Sequence, residues 1–288
     1  MRLHEDARRI VVFLGHLTTN EHGEIKPIFQ GTAFFITHEN FTYLVTARHV
    51  AEVLAGPFMI AYNDANGNIV KDDVDAAAWC YHEDESVEVA VTPATLTNAE
   101  WRAYPSTAFV SPRPNVPNPL SGPGDLVYIV GLYRLFPGQD KILPIVHTGH
   151  IAMLPDEPIP AWNRIKKKTS MVRGYLIEAQ TLEGLSGSPV FMRYTTPTEI
   201  FTAHGRVAAY TDHVFLLGLW NGAWEGKAGQ ILAEQVGGEL RVPVGMGITI
   251  PSRYILEILN SPTLSEARAK AKLAAASENA AVMDTSAC

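Results

Sequence analysis

A serine enclosed by glycines is the feature of this 288-residue chain most suited to chemistry. The segment Gly184–Pro189 reads Gly-Leu-Ser-Gly-Ser-Pro and comes directly before an apolar run. Its glycines permit a tight turn that exposes the Ser186 hydroxyl and leaves backbone N–H groups free to stabilise an oxyanion. The same residue types are also found in plain Gly/Ser turns between two strands. This segment alone therefore leaves both interpretations open.

Two further residues could complete a nucleophilic site. His49 lies in Thr46–Val50, at a predicted junction between a strand and a helix. Glu88 lies in Ser86–Val91 between apolar neighbours, where a carboxylate is costly unless a cation or a hydrogen-bond donor pairs with it. An imidazole would be such a partner. Asp84, in a polar turn, is the reserve candidate for the acid, and in a third interpretation Glu88 takes no part.

Short apolar runs separated by Gly, Pro and Asn predict that β-strands position these residues. The predicted strands cover 10–17, 31–37, 43–46, 58–62, 69–70, 87–91, 126–132, 142–151, 175–180, 189–193, 214–220 and 245–250. Asn66-Gly67 favours a hairpin turn, because both residues accept a positive φ. Short helices are expected over 48–54, 98–104 and 252–259.

The distribution of prolines divides the chain. Six prolines fall in the 20 residues 105–124, which predicts a linker or a long crossing loop. Strands on both sides of it suggest two β-barrels or sandwiches, over 8–104 and 125–262. The Ala-rich stretch 263–288 is expected to be either a docked helix or a frayed tail.

Composition excludes several classes of protein. The net charge is −7, which does not favour nucleic-acid binding, and the basic run 164–168 is expected to be a solvated loop. The chain has two cysteines, so a disulfide-stapled secreted fold is not expected. No signal peptide and no membrane helix are expected. These features together predict a cytoplasmic location.

Taken in order, the motifs resemble the trypsin-like (chymotrypsin-fold) serine peptidases. The resemblance is to the bacterial, disulfide-free branch close to the HtrA-type proteases, and it covers roughly residues 10–260. It rests on Gly31–Ile36, Thr46–Val50, Val87–Val91, Gly184–Val190, Leu217–Asn221 and Val244–Ser252.

The resemblance implies an all-β fold of two six-stranded antiparallel β-barrels with a C-terminal helix, acting as a serine endopeptidase on peptides or proteins. Ser186 would attack the peptide carbonyl, His49 would carry its proton, and Glu88 would orient the imidazole. The N–H groups of Gly184 and Ser186 would form the oxyanion hole. The chain order of histidine, acid and serine is that of this family. No cofactor and no metal are implied.

The resemblance also implies a substrate pocket, formed by Gln180, Gly218, Leu219 and Trp220. Gln180 is neutral, which disfavours strict cleavage after Arg or Lys and favours a small or medium uncharged side chain. Glu178 and Glu183 flank this stretch, and either could reach the pocket. The segment 194–213 resembles an inserted loop, for which a surface hairpin is the simpler interpretation.

Two departures from the family pattern leave alternatives open. Glu88 stands where the family usually has Asp. Leu185 stands where zymogen-type trypsins have the Asp that receives a new N-terminus, so activation by such a cleavage is not expected. A non-catalytic or latent trypsin-fold module that binds a protein partner, the latent form awaiting an activating partner, is the main alternative.

Other chemistries fit the sequence less well. An α/β-hydrolase would use a histidine after the serine, such as His204 or His213, but the chain lacks the alternating βα pattern of that fold. His147 and His150 lie three apart in a predicted strand, on opposite faces, so a metal site there is not expected.

Overall fold

The computed structural model describes residues 3–19, 23–54, 56–64, 66–75, 77–94, 103–110, 121–163, 168–180, 182–202, 205–227 and 241–285. Within these residues the protein is mostly β, with sixteen strands and four α-helices. The predicted helix at 98–104 lies largely outside the described residues. Its last residue, Tyr104, is in a strand rather than a helix.

The first eight strands form one sheet that carries His49 and Glu88 beside it. They are β1 (Val11–Thr19), β2 (Ile25–His38), β3 (Phe41–Ala47), β4 (Phe58–Asn63), β5 (Ile69–Val74), β6 (Cys80–Tyr81), β7 (Val89–Pro93) and β8 (Tyr104–Pro105). The sheet order is β5-β4-β1-β2-β3-β7-β6, and β8 pairs with β2 in parallel. Across the described residues this sheet stays open, so a second closed barrel is not confirmed. Its two edge strands are β5, which alternates half-buried with exposed positions, and β6, which has two residues.

The second group of strands closes into a six-stranded antiparallel barrel, which confirms one of the two predicted barrels. Its members are β9 (Leu126–Gly131), β10 (Ile145–Met153), β13 (Tyr175–Glu178), β14 (Pro189–Thr202), β15 (Gly205–Lys227) and β16 (Arg241–Pro251). They follow the order β10-β13-β16-β15-β14-β9. β14 and β15 pair from Pro189↔Leu219 to Thr202↔Gly205, with one register shift between Val190 and Phe191, so the described residues of the segment 194–213 form the two strands of a hairpin.

A separate hairpin, which the sequence did not predict, lies between β10 and β13. It consists of β11 (Ile159–Asn163) and β12 (Lys168–Val172), which pair only with each other. The indole N–H of Trp224, on β15, donates to the Pro160 carbonyl at 2.8 Å and ties this hairpin to the barrel. Most of the basic run 164–168 lies outside the described residues.

Four helices complete the fold: α1 (Asp6–Arg9), α2 (Arg48–Val53), α3 (Ser252–Leu259) and α4 (Pro262–Thr285). The Ala-rich stretch is thus a helix, and it returns to the first sheet. Arg268 of α4 is 4% exposed and donates to the Leu259 carbonyl at 2.6 Å and to the Tyr43 hydroxyl at 3.2 Å. Lys272 donates to Glu39, in the β2–β3 turn, at 2.8 Å. The C-terminal helix therefore fastens the first sheet to the end of the barrel.

Two apolar clusters stabilise the molecule, since burial of apolar surface is the main favourable term in folding. The larger cluster joins the first sheet to α3 and to one side of the barrel, with Phe13, Phe34 and Phe35 fully buried. The smaller cluster fills the barrel interior and includes Leu185 and Trp220. The serine segment therefore contributes a side chain to the barrel core.

Candidate active site

A cleft of about 520 Å³ lies where the first sheet, the barrel and the β11–β12 hairpin meet. His49 and Glu88 line it from the side of the first sheet, and Ser186 lines it from the side of the barrel. Trp162 and Val172 of the hairpin form a further wall. The three residues that the sequence singled out for nucleophilic chemistry therefore face one space.

Glu88 holds His49 through two hydrogen bonds. Its Oε2 accepts from the His49 backbone N–H at 3.2 Å and lies 3.1 Å from Nδ1 of the ring. Helix α2 begins at Arg48 after Ala47, which has no side-chain group to cap it, so the Glu88 carboxylate satisfies one of the free N–H groups of its first turn. The Arg48 N–H donates to the Glu88 carbonyl at 3.2 Å. The acid therefore fixes both the helix and the ring.

This geometry also sets the tautomer of the imidazole. A carboxylate only accepts hydrogen bonds, so Nδ1–H of His49 donates to Glu88, and in the neutral ring the lone pair is then on Nε2. The His49 side chain is 25% exposed and the Glu88 side chain is 9% exposed. Among the described residues no hydrogen bond involves Nε2, and an imidazole nitrogen with a lone pair can accept a proton from a neighbouring hydroxyl.

Asp84, the reserve acid, does not contact His49. It lies on an exposed turn, where its Oδ1 accepts from the Ser86 N–H at 2.9 Å. Hydrogen bonds from the Ser86 side chain and backbone lower the pKa of Asp84 below its usual value. Its own N–H donates to His82 Nδ1 at 3.0 Å. Asp84 thus orders the turn that precedes Glu88.

Ser186 lies in a short segment, Glu183–Ser188, which we call the serine loop. Gly184 and Gly187 adopt φ values of +98° and +88°, a region that favours glycine. Leu185 is fully buried in the barrel interior. An apolar side chain therefore anchors the serine loop in the barrel core.

The Ser186 hydroxyl donates to the Asn221 carbonyl at 3.1 Å. Asn221 is the extra residue of a β-bulge in β15, because the pairing with β16 shifts between Trp220 and Gly222. The bulge turns the Asn221 carbonyl toward the serine. The Asn221 Oδ1 is buried and, among the described residues, has no hydrogen-bond partner.

Two backbone N–H groups of the serine loop remain free of protein partners. In the described part of the chain, neither the N–H of Gly184 nor that of Ser186 donates to a protein group. The Glu183 carbonyl accepts from the Arg134 N–H at 3.1 Å. In a trans peptide the N–H points away from the C=O, so this bond directs the Gly184 N–H away from Arg134. Free, oriented N–H groups of this kind can bind a developing negative charge.

Of the residues that the resemblance assigned to a substrate pocket, Trp220 lines the cleft and three others do not. Gln180 is exposed to solvent, and Leu219 is fully buried in the larger core cluster. Gly218 lies against the barrel backbone, since a Cβ there would be 1.9 Å from the Ile250 carbonyl oxygen. The Trp220 ring covers Gly247, where a Cβ would lie 1.9 Å from the ring.

Sequence analysis missed several residues of the cleft and its surroundings. Trp162 and Val172 belong to the β11–β12 hairpin, which the pattern of apolar residues in the sequence did not predict. Asn221 was included only as part of a strand motif. Thr32, within the Gly31–Ile36 motif, contacts the serine loop directly. A buried threonine carries no sequence signal of such a contact, because its partners lie 100 and 152 residues away.

No metal-binding group of three or more His, Cys, Asp or Glu side chains occurs among the described residues. His147 and His150 both lie on β10, as expected. Within the same residues, no helix has the length and apolar character needed to cross a membrane.

Comparisons with known proteins give little further information. No protein-family model matches the chain, and no curated protein matches it. Among solved structures, the crystal structure of Rv3671c protease, in an inactive form, matches with 17% sequence identity and a TM-score of 0.39, over 88% of each chain. Because a TM-score this low does not establish a shared function, the function is inferred from this chain's own residues.

Proposed function

We propose that the protein is a serine endopeptidase of the trypsin-like type, which hydrolyses peptide bonds through an acyl-enzyme. The observation that carries this proposal is the cleft in which the His49–Glu88 pair faces Ser186. In this proposal the open sheet β1–β8 corresponds to the family's first barrel, and β9–β16 contains the second.

The proposed reaction begins at Ser186. Its Oγ bonds to the substrate carbonyl carbon while its proton moves to Nε2 of His49, and Glu88 stabilises the imidazolium. The N–H groups of Gly184 and Ser186 bind the oxyanion. Breakage of the C–N bond, with proton transfer from His49 to the amine, releases the first product and leaves an acyl-serine. A water molecule, deprotonated by His49, then attacks this ester. As the bond to Ser186 Oγ breaks, His49 returns the proton to Oγ, and the acid product leaves.

The bond from Ser186 to Asn221 places one condition on this reaction. A hydroxyl carries a single proton, so Ser186 must release the Asn221 carbonyl before it can donate to His49. The contact therefore belongs to a resting state. An enzyme that remained in this state without its substrate or an activating protein would be latent.

The proposal is tested by intact mass after exposure to a fluorophosphonate, with the wild type, Ser186→Ala and Ser188→Ala. Ser188 is a matched control, because it is a fully buried serine in the same loop whose hydroxyl lacks a partner among the described residues. We expect one adduct on the wild type and on Ser188→Ala, and none on Ser186→Ala. Peptide hydrolysis by Ser186→Ala should fall by roughly 10⁴-fold or more.

A well-folded wild type that gains no adduct, alone or with peptides, would contradict the proposal and favour a partner-binding module. An adduct that forms only when a peptide or partner is present would identify the latent form. An adduct retained by Ser186→Ala would show that another residue is the nucleophile.

A further inference from the structure

Thr32 connects the first sheet to the serine loop on both sides of Ser186. It lies on β2 and is fully buried. Its N–H donates to the Ser186 carbonyl at 2.9 Å, and its hydroxyl donates to the Gly184 carbonyl at 2.8 Å. The same hydroxyl accepts from the Leu132 N–H at 3.0 Å. The N–H and the hydroxyl of one residue thus both donate to carbonyls of the serine loop.

Four consecutive carbonyls of the serine loop, from Glu183 to Ser186, each accept one hydrogen bond. Arg134 N–H binds the Glu183 carbonyl, and Ser188 N–H binds the Leu185 carbonyl at 2.9 Å. Thr32 supplies the donors for the other two, the carbonyls of Gly184 and Ser186. Because peptide groups are planar, fixing each C=O also fixes the N–H on the opposite side. Thr32 therefore fixes the peptide planes 184–185 and 186–187. These planes alternate along the loop with the planes 183–184 and 185–186, which carry the N–H groups of Gly184 and Ser186, so Thr32 holds the backbone on both sides of the Ser186 N–H.

The same threonine is linked to the histidine side of the cleft. The Thr46 hydroxyl, on β3 three residues before His49, donates to the Thr32 carbonyl at 2.7 Å. The serine loop packs closely against this pair, since a Cβ at Gly187 would lie 2.0 Å from the Thr32 oxygen and 2.4 Å from Thr46 Oγ1. A shift of Thr32 would therefore move Ser186 relative to His49.

We infer that Thr32 is a positioning residue, whose hydroxyl holds the serine loop in the geometry that activates Ser186. This inference rests on the proposed peptidase function. Thr32 touches no substrate atom and acts through Gly184 and Ser186. Because errors of about 1 Å in a reacting geometry can cost about a hundredfold in rate, loss of this contact should reduce turnover more than substrate binding.

The test compares Thr32→Val, Thr32→Ser and the matched control Thr92→Val. Thr32→Val keeps the shape but leaves the Leu132 N–H and the Gly184 carbonyl without their partner, whereas Thr32→Ser keeps the hydroxyl. Thr92, on β7 of the same sheet, is 5% exposed, and in the described part of the chain its hydroxyl makes a single 3.5 Å contact, with the Pro93 carbonyl. If Thr32→Val does not fold, Thr32→Ala takes its place.

We expect Thr32→Val to lower kcat by about 10- to 100-fold with KM within about twofold, and to slow fluorophosphonate labelling equally. Thr32→Ser should stay within about threefold of the wild type, and Thr92→Val within about twofold. Amide hydrogen exchange in peptides that cover residues 132 and 182–188 should be faster in Thr32→Val only. If Thr32→Val lost activity only because it is less stable, the loss would correlate with the fall in melting temperature. Activity would then not be restored in Thr32→Ser.

Two results would overturn the inference: an unchanged kcat in a folded Thr32→Val, or unchanged exchange in these peptides. If the wild type neither labels nor cleaves, the proposed function fails, and hydrogen exchange alone decides whether Thr32 fixes the loop. If the wild type is active and Thr32→Val is equally active, the function stands and the role of Thr32 is refuted.

Discussion

The two sides of the cleft are held in different ways. On the histidine side, two hydrogen bonds join His49, in the first turn of α2, to Glu88, which directly precedes β7 of the first sheet. On the serine side, the loop that carries Ser186 is held from three directions: by Thr32 of the first sheet, by Trp220 of the barrel and by Leu185 in the barrel core. The His49–Glu88 pair therefore depends on the first sheet and its α2 helix alone, whereas the position of the serine loop depends on the contact between the first sheet and the barrel.

The resting contacts differ in the same way. The imidazole already has the partner that it needs for proton transfer, whereas the Ser186 hydroxyl is bound to the Asn221 carbonyl. His49 therefore has its catalytic hydrogen bond before substrate binds, whereas the Ser186 hydroxyl must first break its bond to Asn221. Variants on each side can test this difference.

The largest expected effect is on the histidine side. Glu88→Gln should lower kcat by about 10⁴-fold, because an amide removes the charge that stabilises the imidazolium and disturbs the tautomer. The measurement is the rate of peptide hydrolysis or of fluorophosphonate labelling. Asp84→Asn is the matched control and should stay within about twofold of the wild type, since Asp84 does not touch His49. A larger loss in Asp84→Asn than in Glu88→Gln would reverse the assignment of the acid.

A smaller effect is expected from a clash on the serine side. Gly187 has a φ of +88°, which an alanine adopts only with strain, and an added Cβ would lie 2.0 Å from the Thr32 carbonyl oxygen. Because both effects destabilise the folded state, the free energy of unfolding of Gly187→Ala should be lower by about 2–5 kcal/mol. Gly124→Ala is the matched control, because Gly124 has a φ of +92° and open space around its Cβ position. It should lose only about 1–2 kcal/mol.

Chemical denaturation of both glycine variants provides the comparison. Gly187→Ala should also lose peptidase activity even where it remains folded, whereas Gly124→Ala should keep it. Equal losses of stability in the two variants would mean that the contact between the serine loop and the first sheet is looser than the structure indicates.

The smallest effect is expected far from the cleft, where α4 meets the β2–β3 turn. A hydrogen bond from Lys272 lowers the pKa of Glu39 below its usual value of 4.5. The folded state therefore binds this proton less readily than the unfolded chain does. The stability that Glu39 contributes is present above pH 4.5 and is lost as the pH falls through the lowered pKa.

Accordingly, Glu39→Gln should lower the melting temperature by roughly 1–2 °C at pH 7, with little difference from the wild type at pH 3. Melting followed by circular dichroism at both pH values measures this. If the two proteins differed more in melting temperature at pH 3 than at pH 7, the folded state would not have a lowered Glu39 pKa.

Much of the secondary structure could be predicted from the sequence. Helix α3 has the predicted bounds, and the turn at Asn66-Gly67 joins β4 to β5 as expected. These features depend on neighbouring residues, so local patterns of apolar and turn-forming residues are sufficient. The β11–β12 hairpin, with its irregular sequence, was not predicted, and the closure expected of the first sheet is not confirmed.

The sequence by itself determined which residues could do chemistry: an exposed serine between glycines, a histidine after a strand, and an acid among apolar neighbours. Only the tertiary structure decided which acid meets the imidazole, where the Ser186 hydroxyl points, and which predicted pocket residues line the cleft. Each of these outcomes depends on a contact between segments far apart in the chain, such as Thr32 with Gly184. Such contacts arise from the packing of two complete halves, which no local pattern encodes.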